Sequence, residues 1–87
     1  MKKSIDERVK EIMLLKDDVG EFSLDLYYDD GRQNTTPYVA KIHNLDGNRM
    51  FHARAADFQT ALDQIDNFLF DYIRTIRMNE LRRNNGT

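Results

Sequence analysis

A chain of 87 residues can build one modest hydrophobic core and not a second, so a single small domain is expected. Apolar residues at 40 % and charged ones at 32 % suit an ordinary globular chain, and thirteen basic against fifteen acidic residues leave a net charge of −2, which excludes bulk attraction to nucleic acid or an acidic membrane. Zero cysteines exclude disulfides, thiolate metal sites and cysteine nucleophiles; no stretch approaches the ~20 apolar residues of a membrane span and no signal peptide is recognisable, so a cytoplasmic protein is expected.

Ser4 followed by Glu7 forms a capping box, which predicts a helix from Ile5. At 100° per residue, Ile5, Val9, Ile12, Met13 and Leu15 share about 160° of arc with Leu14 alone opposite, and the buried face ends near Asp17 to Gly20. From Phe22 the period changes to two. Phe22, Leu24, Leu26 and Tyr28 alternate with Ser23, Asp25, Tyr27 and Asp29, the mark of a strand with one buried face. Asp29-Asp30-Gly31 breaks it, and Pro37 stands just before a second strand. There Tyr38, Ala40 and Ile42 point one way, and Val39, Lys41 and His43 the other. Asp46-Gly47 supplies a hairpin turn. A third strand runs from about Arg49 to Ala55 with Phe51, Ala53 and Ala55 on the buried side. Pairing Ile42 with Phe51 sets Lys41 opposite His52 and His43 opposite Met50.

Asp57 caps the last helix, in which Phe58, Ala61, Leu62, Ile65, Phe68, Leu69, Tyr72, Ile73 and Ile76 fall within about 140° of arc. The expected fold is therefore α+β: one domain, α-β-β-β-α, with a three-stranded antiparallel sheet covered on one face by two helices. Order is expected from about residue 4 to 78, with a frayed tail over 79–87. A last helix of about 30 Å overhangs strands of about 20 to 23 Å, so Tyr72, Ile73 and Ile76 need cover from the first helix, the tail or another molecule.

Catalytic chemistry is sparse. Ser4 reads as a cap and Ser23 has no base beside it in sequence, so no enzyme is expected. His43 and His52 are diagonal neighbours on the open sheet face, but no third ligand stands at a metal spacing and Lys41 and Arg54 repel a cation, so neither metal nor cofactor is expected. The Asp-Gly steps lack the spacing of a calcium loop, and the sequons at Asn34 and Asn85 carry no weight without a secretion signal. On the open face, Tyr27, Lys41, His52 and Arg54 have the character of a nucleic-acid platform, offset by Glu21, Asp25 and Asp29. In the last helix Phe70 lies about 120° from Phe58, among charged residues and close to Arg74 and Arg77. An aromatic group there is a candidate interface residue.

The run Phe51-His52-Ala53-Arg54-Ala55, followed by Asp57-Phe58 and Ala61-Leu62-Asp63, resembles the third-strand-to-helix region of the ribosome hibernation-promoting and ribosome-associated inhibitor factors. Ile65, Leu69 and Ile73 continue that family's apolar ladder. The resemblance implies the same order of elements without the family's first strand, and a ribosome-binding role. The family's RNA-contacting lysines and glutamine are replaced by residues such as Phe68 and Tyr72. The element order is also similar to that of double-stranded-RNA-binding domains, although Asp57-Phe58-Gln59-Thr60-Ala61 stands where their second helix begins with lysines. Two functions are therefore expected in competition. One is a small regulator, an inhibitor or adaptor, that binds another protein through Phe70, Arg74, Arg77, Tyr27 and His52. The other is a ribosome- or structured-RNA-binding factor with Lys41, Arg54, Arg74 and Arg77 on phosphates. A homodimer covering the overhanging helix end is a third expectation, and no membrane contact is expected.

Overall fold

A computed structural model of the chain describes residues 3–31 and 35–85, the side chains of 84 and 85 excepted. In chain order the elements are α1 (Ile5–Met13), α2 (Lys16–Val19), β1 (Phe22–Tyr28), β2 (Tyr38–Asn44), β3 (Arg49–Ala55) and α3 (Phe58–Asn85). The three strands form one antiparallel sheet in the order β1-β2-β3, and the helices pack on one of its faces.

Local chemistry explains the boundaries. The Ser4 hydroxyl accepts from the Glu7 amide at 3.1 Å and starts α1, while an Asp57 carboxylate oxygen accepts from the Thr60 amide at 2.7 Å and starts α3. Between α1 and α2 the amides of Leu15, Asp17 and Asp18 reach back only three residues, a tightening that divides the expected first helix in two. Leu14 is left 70 % exposed, as its lone position on the helix wheel predicts, whereas Leu15 and Val19 pack on the core. Gly20 ends α2 at φ +98°, and Gly47 turns the hairpin at φ +81° with the Asn44 side chain accepting from the amides of Asp46 and Asn48.

The core lies between sheet and helices. Ala40, Ile42, Ala53 and Ala55 present its floor, and Ala61, Leu62, Ile65 and Leu69 form the stripe of α3 that covers them, closed by Ile12 from α1 and Phe22 from β1. Small residues on the central and third strands let α3 lie close, and each buried leucine or isoleucine of the stripe stabilises the fold by about 1.5–3 kcal/mol. Aromatic pairs finish the two ends: Tyr38 meets Phe58 edge-on at 4.8 Å, and Phe51 stacks on Phe68 at 4.6 Å.

Four further expectations change. The pairing of Ile42 with Phe51 and of Lys41 with His52 holds, but a bulge between Ile42 and His43 sets His43 opposite Arg49 in place of Met50. Met50 turns toward the core and Arg49 stands exposed. Tyr28, assigned to the buried side, is more than half exposed at the strand end, where its ring meets Tyr38 edge-on. Glu21 does not join the open face, since its carboxylate pairs with Lys16 at 3.3 Å. Finally, α3 runs on to Asn85 beyond the expected limit at Met78; residues 86–87 of the expected frayed tail lie outside the described residues. At 28 residues it is about 42 Å long, so it overhangs the sheet further than expected. The short α2 packs on α3 near that end, with Asp18 3.5 Å from Arg77, and Ile73 is buried.

Candidate functional site

The uncovered sheet face carries three rows of side chains, set by the strand register: Ser23, His43 and Arg49; Asp25, Lys41 and His52; Tyr27, Val39 and Arg54. Lys41 lies 5.0 Å from the centre of the Tyr27 ring, a cation–π contact between diagonal neighbours. Arg54 reaches from β3 to Asp29 at the end of β1, 2.9 Å away, and so crosses the central strand. Val39, between Tyr27 and Arg54, is fully buried although it faces away from the helices. This face is thus partly roofed by its own side chains.

Positive potential gathers at its β3 side. Burial, and then Arg54, Lys41 and Arg49, hold the His52 imidazole below the ordinary value of 6.5, and its Nε2 atom is buried without a hydrogen-bond partner. At the β1 side the signs reverse, and the Arg54 guanidinium, with the Gly31 amide, holds the Asp29 carboxyl below its usual range. The two histidines are indeed on one face, but no group of three metal-ligating side chains occurs among the described residues.

The register also brings Ser23 opposite His43, with an Asp25 oxygen 3.7 Å from His43 Nδ1. Serine, histidine and aspartate in that order suggest a nucleophile, but the geometry is poor. No hydrogen bond joins Ser23 to His43, and the separation of His43 from Asp25 exceeds a hydrogen bond. Neither the base nor its orienting group is held, and the arrangement lies on an open surface.

The second group of candidates lies on α3. Phe70, Arg74, Arg77 and Leu81 follow one another at helical spacing on a stripe that neither the sheet nor α1 covers, and Phe70 and Leu81 are each 57 % exposed. Arg74 pairs with Asp71 and Arg77 with Asp18. The seven candidates therefore divide between two surfaces. Tyr27, Lys41, His52 and Arg54 belong to the sheet face, and Phe70, Arg74 and Arg77 to the helix on its other side. Sequence reasoning missed Arg49, because no local signal marks the bulge, and Leu81, because the helix was ended too early. Asn34 and the Asn85 side chain lie outside the described residues.

Comparison with protein-family models, with curated proteins and with solved structures finds no match to this chain. No helix among the described residues is long and apolar enough to cross a membrane.

Proposed function

We propose that this chain is a non-enzymatic binding module, a small regulator that acts as an inhibitor or adaptor by contact with another protein. The observation that supports this reading most directly is the α3 stripe that neither the sheet nor α1 covers, where exposed Phe70 and Leu81 flank Arg74 and Arg77. Exposed aromatic and arginine side chains together are residue types enriched at protein interfaces. The alternative, a ribosome- or structured-RNA-binding factor as the family resemblance implies, draws on Lys41, Arg54, Arg74 and Arg77. Those four side chains divide between two surfaces, and three of them already pair with carboxylates, which lowers what each would gain from a phosphate.

The two readings separate in one experiment. Protein is sedimented with ribosomes at physiological salt, and a structured RNA is titrated at rising salt. The regulator reading expects no ribosome association and no RNA complex that outlasts physiological salt. It also expects a partner recovered from the native host to be lost with Phe70→Asp and retained with Lys41→Ala. Co-sedimentation with ribosomes, insensitive to Phe70→Asp, overturns it.

A further inference from the structure

β3 is an outer strand, and among the described residues no strand pairs with its far edge. One bond reveals which backbone groups face outward. Gln64 of α3 donates from Nε2 to the Arg54 carbonyl at 3.1 Å. In an antiparallel ladder the N–H and C=O of one residue leave on the same side and successive residues alternate. Arg54 and His52 therefore point these groups away from β2, whereas Ala53 and Ala55 direct theirs toward it. Gln64 occupies the Arg54 carbonyl; the Arg54 N–H and both groups of His52 form an edge ready to pair with another strand.

A strand added there would send alternate side chains to the two sides of the sheet. On the open side they would meet Arg49, which makes no ion pair among the described residues, and the His52 ring with Lys41 behind it; the Arg54 guanidinium is drawn away across the sheet to Asp29. On the helix side they would meet a groove of about 320 Å³ lined by Phe51, Gln64, Asn67, Phe68 and Asp71, with the stacked rings of Phe51 and Phe68 as its apolar wall. The edge of β1 has the opposite character, because Asp25 and Asp29 stand on its open side.

We infer that the free edge of β3 docks an extended segment of another protein in which acidic and apolar side chains alternate. The apolar side chains enter the Phe51–Phe68 groove, the acidic ones lie toward Arg49 and Lys41, and the backbone extends the ladder. The bond from Gln64 to Arg54 marks where that ladder stops. This surface is distinct from the Phe70 stripe and goes beyond the function proposed for it.

The probe is a blocked peptide of about nine alternating glutamates and valines, titrated into isotope-labelled protein. Saturable amide shifts are expected over residues 49–54 and 64–71, with the His52 and Arg54 amides gaining protection from exchange, at a Kd on the order of 10⁻⁴ M. Arg49→Glu, and Asn67→Trp which fills the groove from an exposed position, should each weaken binding about tenfold. Phe70→Asp should leave it unchanged, so that failure of this edge and failure of the α3 stripe are read separately. The inference is overturned if no shifts saturate up to about 1 mM, or if the shifts map to β1 or the outer face of α3. Equal binding of a lysine–valine peptide, or of one with its glutamates and valines in separate blocks, also overturns it. So does an RNA duplex that saturates the same amides at physiological salt, or a dimer in which those amides are protected before any peptide is added.

Discussion

Arg8 shows how a single side chain fixes the layering of the helices. Its guanidinium, 13 % exposed, donates to the Gln59 backbone and side-chain oxygens and lies 2.7 and 2.8 Å from Asp63 and Asp66, tying α1 to the first turns of α3. Replacing it leaves the half-buried Asp66 without its partner and takes the second donor from the Gln59 carbonyl. Arg8→Met should therefore cost about 2–3 kcal/mol, read by urea unfolding, and Arg8→Lys should recover only part because it lacks the forked geometry. Deleting an exposed pair such as Arg74 with Asp71 should cost little by the same measurement. His52 gives a pH dependence opposite in sign to that of a histidine held protonated by a neighbouring carboxylate. Burial, and then its cationic neighbours, depress the folded value below 6.5, so the unfolded chain binds that proton first. The stability associated with the neutral imidazole is complete above about pH 6.5 and is lost as pH falls toward the lower folded value. Unfolding followed at pH about 7.5 and about 5.5 should show this loss in the natural protein and a smaller one in His52→Asn.

At the level of elements, α3 carries most of the core. Leu69→Ala should destabilise by about 2–5 kcal/mol, because the stripe packs on alanines of β2 and β3 whose short side chains leave little to collapse into the space. This helix is also the part of the fold most legible in the sequence, since a strict apolar stripe over nineteen residues admits no other period. Strand alternation likewise disclosed the hairpin register as far as Ile42 and Phe51. The bulge beyond that pair was not legible: Met50 enters the core by packing, and no glycine or proline announces the irregularity. The break between α1 and α2 was equally hidden, because Ile12 and Met13 before it and Leu15 and Val19 after it all reach the core. For the candidate site, sequence parity placed His52, Lys41, Arg54 and Tyr27 on one face. It could not reveal that Arg54 would span the sheet to Asp29 and bury Val39 beneath that reach.

For the whole molecule, dimensions of 54 × 31 × 20 Å describe a compact body with a projecting rod. The radius of gyration, 15.1 Å, exceeds the value of about 12 Å expected for a globule of this length, and the excess lies in the last turns of α3. Residues 77–83 are exposed throughout. Ending the chain after Met78 should bring small-angle scattering close to the globular value while costing less than about 1 kcal/mol of stability. A truncation that unfolds the protein would mean that the rod supports the body.

The irregular step at Met50 has a consequence for how this hairpin tolerates changes in length. The residue is a spare: without it Arg49 and Phe51 keep their present partners, and every other side chain of β3 stays on its own side of the ladder. A one-residue deletion at 50 should therefore yield a folded protein missing one thioether from its interior. The same deletion at Ala53 would turn one half of the strand inside out, forcing either Arg54 inward or Phe51 into water.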